Sequence, residues 1–293
     1  MSEEIPSIPF KKDSELYLEV IDLKVFYKKL KDVIDHDPFS IHRIEFYMIL
    51  MVKKNSFSHF LDFEVYDLKA GSALFVAKGQ VQHFFENLED TEGYCIIFNS
   101  DFLNKHFFLH SGKKFNRLFN YHIESPVLHP DELGENTFFD IAHRLFEEYK
   151  APEPFAKSEI LGSLLNILLI KAERAKEFRS GLKINPRWLE TFTEFKNLLE
   201  ENHAETRSSR FYANSMHISY KYLNDVVKKV SGNSVKRFID IYVIIEIKRY
   251  LITTSYSVKE ISHMVGFDEP GNMIKFFKKN TGVTPLKFRQ HQK

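Results

Sequence analysis

This chain predicts two domains of different class, an all-β one followed by an all-α one, and three observations carry the reading. Short aromatic and β-branched runs with close turns fill residues 39–98, helical periodicity takes over beyond about Asp101, and the charge changes sign between the halves. The 293 residues are enough for two separate cores. From Arg187 onward 18 Lys+Arg stand against 11 Asp+Glu, a formal +7, whereas residues 1–186 carry a formal −6. A basic half joined to an acidic half points to one domain for a polyanion and one for something else.

The β region reads as FSIHRIEFYMILMV, FEVYDLKAGSALFVAKG, VQHFF and GYCIIF, punctuated by Gly71, Gly79 and the polar NLEDTEG segment. Several short strands of this kind favour a small barrel or sandwich. Next come two helices. TFFDIAHRLFEEYK carries Phe138, Ile141, Leu145 and Tyr149 at helical spacing, and EILGSLLNILLIKAERAKEF lines up Leu161, Leu164, Leu165, Leu168, Leu169 and Ala172. Ile160, Ile167 and Ile170 extend that apolar face most of the way round. Such a helix needs burial on two sides, one against the β domain and one against a partner, for which a second copy of the chain is the simplest choice. The N-terminal domain is expected over 1–180, with dimerisation helices at about 138–180, a linker over 181–187 and a helical domain over 188–293.

The basic half repeats itself. ISYKYLNDVVKKVSG (218–232) lies over FDEPGNMIKFFKKNTG (267–282). Leu223 meets Met273, Val226-Val227 meets Phe276-Phe277, Lys228-Lys229 meets Lys278-Lys279, and Gly232 meets Gly282, all 50 residues apart. Ahead of the turns the offset is 49, pairing Ala213 with Ser262, Met216 with Val265 and Ile218 with Phe267. A small residue three before an apolar one, a short turn and an amphipathic second helix give helix-turn-helix geometry, expected at about 208–230 and 258–280. Ser219 suits the N-cap of the first recognition helix, and Glu269-Pro270 the start of the second. Lysines at the far end of each recognition helix suit DNA phosphates. NSVKRFIDIYVIIEIKRYLITT, between the copies, reads as one helix. Its roughly twenty residues at about 1.5 Å each span about 30 Å, close to the ~34 Å between successive major-groove faces.

These residues resemble the AraC/XylS family of bacterial transcription regulators. The resemblance lies in Ile261, Val265-Gly266-Phe267, Phe277-Lys278-Lys279, Gly282, Thr284-Pro285 and Phe288-Arg289, and covers about the last 85 residues. It implies double-stranded DNA as partner, with bases met from the early part of each recognition helix. Tyr220, Lys221, Asn224 and Asp225 would serve in the first, with Tyr222 close by, and Gly271, Asn272 and Lys275 in the second. Lys suits guanine O6/N7 and Asn suits adenine. Lys228, Lys229, Lys278 and Lys279 would meet phosphates. Asp225 stands where a basic residue is common, and Pro270-Gly271 leaves the second helix few reading side chains.

The first half resembles the cupin-like sensor domain of such regulators in IEFYMIL, DFEVYDLKAGSALFVAKGQVQHF and GYCIIF. That implies a barrel holding a small effector, dimerisation through the helices that follow, RNA polymerase as a further partner, and most often an activating role. The alternative is a cupin-like enzyme or sugar-binding module with a helical appendage.

Other chemistry finds little support. His42, His59 and His83 are isolated, with His83 expected at a pocket rim or in the core. His106 and His110 have helical zinc spacing but lack the HExxH glutamate and a third ligand. Cys95, the only cysteine, fits a buried apolar site and a reducing compartment. No catalytic residue, metal or cofactor is expected. The polar start MSEEIPSIPFKKDSE and the short apolar stretch 160–170 predict a cytoplasmic protein without a membrane partner.

Overall fold

The computed structural model describes residues 6–10, 16–33, 36–106, 118–119, 125–130, 137–180 and 185–291. They fall into two compact units, Pro6–Lys183 and Ile184–Lys293.

The first unit holds ten described strands. These are β1 (Ser7–Ile8), β2 (Leu18–Asp22), β3 (His42–Ile44), β4 (Tyr47–Lys54), β5 (Ser56–Leu61), β6 (Glu64–Lys69), β7 (Ala73–Val76), β8 (Val81–Phe84), β9 (Glu92–Phe98) and β10 (Val127–Leu128). One sheet runs β1-β3-β8-β5-β6 and the other β10-β7-β4-β9-β2, antiparallel except for the β1–β3 pair. The second sheet is buried on both faces. Met48, Leu50, Leu74, Val76 and Cys95 share a core with Phe57, Leu61 and Phe84 of the first sheet. Ile49, Met51, Phe75, Ile96 and Phe98 pack in a second core, against helices. This double burial is why YMILMV reads as a continuous apolar run rather than an alternating one. The predicted single strand FSIHRIEFYMILMV is two, broken at Glu45-Phe46, because its halves belong to different sheets. SFSHFL, left out of the expected strands, forms β5; its Phe57, His59 and Leu61 are buried in alternation with less buried Ser56, Ser58 and Phe60.

Helix α1 (Leu23–Lys31) was also outside the expectation. Asp22 caps it, its side chain accepting from the backbone of Lys24 and Val25, and Phe26, Tyr27 and Leu30 are buried. Two longer helices follow α2 (Ser100–His106): α3 (Thr137–Lys150) and α4 (Lys157–Ser180). Leu161, Leu165, Leu168, Leu169 and Ala172 of α4 join Phe138, Ala142 and Leu145 of α3 over the second sheet. Ile160, Ile167 and Ile170, on the remaining side of α4, stay 40%, 45% and 38% exposed.

The second unit is helical: α5 (Pro186–Asn202), α6 (Ser209–Ser215), α7 (Tyr220–Ser231), α8 (Val235–Thr253), α9 (Val258–Met264), α10 (Pro270–Thr281) and α11 (Pro285–His291). Residues 181–184 of the expected linker lie outside the described residues, and Pro186-Arg187 are helix rather than linker. Asn185 ends the non-helical stretch, its side chain accepting from the Arg187 amide, with Pro186 at the first helical position. Phe192, Phe195 and Phe238 form an aromatic cluster where α5 meets α8. Among the described residues no helix is long and apolar enough to cross a membrane.

Candidate nucleic-acid interface

The two repeated motifs adopt matching backbone paths. In the first, α6 ends at Met216 and the chain turns through His217 in the left-handed region (φ 54°); in the second, α9 ends at Val265 and turns through Gly266 (φ 74°). Each turn is closed by the same pair of bonds. Amides of His217 and Ile218 donate to Asn214 and Ala213, and those of Gly266 and Phe267 to His263 and Ser262. The small residues Ala213 and Ser262 are buried, as are Met216, Val265 and Phe267. A Cβ on Gly266 would lie 2.0 Å from the Ala204 carbonyl oxygen. The same turn is held by Arg207, whose guanidinium donates to the Gly266 carbonyl (3.3 Å) and stacks 3.5 Å from the Phe267 ring centroid.

Each recognition helix has one buried and one exposed face. Leu223, Val226, Val227 and Val230 are buried in α7, and Met273 and Phe277 in α10. Opposite them α7 exposes Tyr220, Lys221, Asp225, Lys228 and Lys229, and α10 exposes Gly271, Asn272, Lys275, Lys278 and Lys279. Spacings of four and three place 221, 225 and 228 on one stripe, and 271, 275 and 278 on its counterpart. Tyr222 is half-buried. Asn224 departs from the expectation of a free base reader: it too is half-buried, and its side-chain oxygen accepts from the Val235 amide (3.2 Å), tying α7 to the first residue of α8. That acceptor is therefore engaged and not free for the bidentate pairing adenine needs.

The caps differ. Ser219 accepts from the Tyr222 amide (3.1 Å), whereas Glu269 makes no side-chain cap, and α10 starts on the fixed φ of Pro270 instead. Both helices stop at a left-handed glycine, Gly232 and Gly282. Helix α8 joins the motifs with 19 residues, about 28 Å at about 1.5 Å each. It is anchored at both ends. Arg237 bonds Asn280 (2.6 Å), and Arg289 donates to the carbonyls of Leu251 (2.8 Å) and Tyr256 (2.7 Å). Arg207 and Arg289 are the positioning residues that periodicity could not find, because both act on backbone carbonyls distant in sequence.

Residues 212–291 match a family model described as a helix-turn-helix domain. This is an AraC-type helix-turn-helix domain. Two relatives of the chain are described as transcriptional activators. The bifunctional transcriptional activator/DNA repair enzyme AdaA of Bacillus subtilis is 30% identical over 106 residues, 36% of this chain and 49% of AdaA, so the match spans about half that relative's length. The transcriptional activator RhaS of Pectobacterium carotovorum is 23% identical over 271 residues, 87% of this chain and 88% of RhaS. Among solved structures, ToxT of Vibrio cholerae aligns over 86% of this chain and 93% of its own, at 11% identity and a TM-score of 0.43. In the AraC-type domain the lysine ends of the two recognition helices correspond residue for residue.

The first unit contains a cavity of about 490 Å³, lined mainly by apolar side chains such as Ile21, Phe26 and Phe84, with Lys29, His42 and Gln82 among its polar groups. His83, expected at a pocket rim or in the core, is only partly buried and stacks on Phe60 instead (centroids 4.7 Å, rings 19° apart). The interior histidines are His42 and His59. His59 Nε2 lies 2.9 Å from Gln82 Oε1, Gln82 Nε2 3.2 Å from His42 Nε2, and His42 Nδ1 3.0 Å from the Ser40 carbonyl. One proton arrangement satisfies all three contacts: His59 donates to Gln82, Gln82 to His42, and His42 to Ser40. Both rings are then neutral. Burial lowers the pKa of His42 to about 4 and of His59 to about 3. An unfolded chain takes up these protons near pH 6.5, so stability present above that pH is lost as pH falls toward 4 and then 3. The expected slope is about 1.4 kcal/mol per pH unit for each histidine. Urea midpoints of the first unit's transition between pH 7 and 4 check this; a flat profile would place these rings in contact with water. His106 bonds Ser158 (2.9 Å), and His110 lies outside the described residues.

Proposed function

We propose that the chain is a sequence-specific, DNA-binding transcription regulator that sets α7 and α10 against successive major-groove segments of one DNA face. The carrying observation is the duplicated motif with matching exposed lysines at 228–229 and 278–279, its two copies joined by α8, a helix about 28 Å long. The four lysines predict a binding constant falling with salt at a log–log slope of about −3.6 per protomer or steeper. Titrating the full chain with its best genomic fragment between 50 and 200 mM salt measures it, and a slope near zero would sink the proposal. Genome fragments recovered on the full chain should share a motif; recovery without one would leave only a phosphate grip.

The first unit acts in this proposal as a cupin-like sensor. Its 490 Å³ cavity has the size and apolar lining of a small-molecule site, with His42 and Gln82 to orient a polar group. The exposed stripe Ile160, Ile167 and Ile170 is proposed to pair with the same stripe of a second copy, because a twofold interface needs a self-complementary patch. An activating role, with RNA polymerase as a partner, is supported by the activators among the relatives. Effector in the cavity would alter how the second unit is presented; unchanged DNA affinity at saturating effector would end that part of the proposal.

A further inference from the structure

We infer that the two recognition helices divide their work: α7 discriminates bases through Tyr220, Lys221 and Asp225, and α10 anchors the domain on phosphates without sequence preference of its own. This rests on the DNA-binding reading above and adds which residues set specificity.

Corresponding positions of α7 and α10 lie 50 residues apart. At the centre of the α7 stripe stands Asp225, exposed and with no side-chain hydrogen bond or ion pair to other described residues. A free carboxylate facing phosphate is repelled on every duplex. It is compensated only where a base edge offers it a donor, as cytosine N4 does in the major groove. Asp225 therefore weakens binding to most sequences and spares a few, which is how discrimination is built. Lys221 and Tyr220 flank it from the first turn, both exposed and long enough to reach a base edge.

The counterpart of Asp225 is Lys275, and the counterpart of Lys221 is Gly271. All three exposed charges of α10 beyond its first turn, Lys275, Lys278 and Lys279, are cations, which phosphates attract on any sequence. The end of α10 that would enter a groove first is poorly equipped to read. Asp268 and Glu269 are exposed there, Pro270 follows, and Gly271 has no side chain. Nothing in the fold requires that glycine: its φ is not left-handed, and an added Cβ would meet no atom within 4 Å. Within the first turn of the helix itself, residues 270–273, Asn272 alone offers an exposed side chain able to pair with a base. Ile274, the counterpart of Asn224, has no polar group.

The test is fragment selection on the full chain, for the parent and for Asp225→Asn, Lys275→Ala and Asn272→Ala, followed by titration of the selected site and an unrelated duplex. All three positions are exposed, and unchanged thermal midpoints would establish that the variants fold. The parent is expected to select one constrained block of bases per protomer, with the groove segment a turn away unconstrained. Asp225→Asn should alter the preferred base in that block, changing discrimination by roughly 5- to 150-fold. Lys275→Ala should weaken both duplexes by the same factor, lower the salt slope by about 0.9 and leave the motif as it was. Two constrained blocks a turn apart in the parent, with the second lost in Lys275→Ala or Asn272→Ala, would overturn the division while keeping the regulator. Binding by the parent with no motif at all would remove the regulator reading and the division together.

Discussion

Gly266→Ala is expected to destabilise the helical unit by about 2–5 kcal/mol, the largest effect of a methyl added at any described glycine of that unit. Two costs act together. The residue sits at φ 74°, where an L side chain costs about 1–2 kcal/mol, and its Cβ would fall 2.0 Å from the Ala204 carbonyl oxygen, overpacking that costs a further ~1–3 kcal/mol. Neither is relieved by a rotamer change, because the clash is with backbone. For a unit of this size the thermal midpoint should fall by at least about 8 °C. His217 is the control. It holds the same left-handed place in the first motif but is exposed, so His217→Gly should raise stability by up to about 1 kcal/mol, once the entropy of glycine is offset. If Gly266→Ala melted with the parent, the close approach to Ala204 would be absent in solution.

Glu246→Ala is the second large effect, expected at about 3–5 kcal/mol. Glu246 and Arg249 are both buried within α8 and joined at 2.6 Å. Removing the carboxylate takes an ion-pair partner away from a buried guanidinium. Removing both charges at once, as Glu246→Leu with Arg249→Met, should cost less, since the buried guanidinium then goes together with the carboxylate that faces it. Because α8 fixes the separation of α7 and α10, Glu246→Ala should also weaken the selected duplex more than an unrelated one. A double-mutant cycle on urea midpoints, with no coupling between 246 and 249, would refute this account.

Much of this arrangement can be read in the residues. The 50-residue repeat locates both recognition helices to within a residue of their observed ends, because local caps, glycine stops and amphipathic spacing set those ends. The exposed lysines follow from the same periodicity. What periodicity misses acts across the chain. Asn224 looks like a reader because it is polar and early in its helix, yet the Val235 amide, eleven residues on, takes its oxygen. Arg207 and Arg289 look like surface cations and serve instead as struts to backbone carbonyls 59, 38 and 33 residues away. In the β unit, aromatic runs locate most strands but not which sheet each joins. The split of β3 from β4, and the placing of His59 inside and His83 outside, depend on pairing that no local signal encodes.

The 19-residue rod between the motifs carries a consequence for how such a chain can diverge. Each residue added to a continuous helix turns everything beyond it by about 100° and carries it about 1.5 Å further along. A single-codon insertion within Val235–Thr253 would thus swing α10 to another side of the rod, however conservative the inserted amino acid. Seven added codons nearly restore the orientation, to within about 20°, but displace α10 by about 10.5 Å, close to three base pairs. Descendants of this chain can therefore exchange side chains along the rod freely on its exposed face, while its length is quantised by the geometry of the duplex.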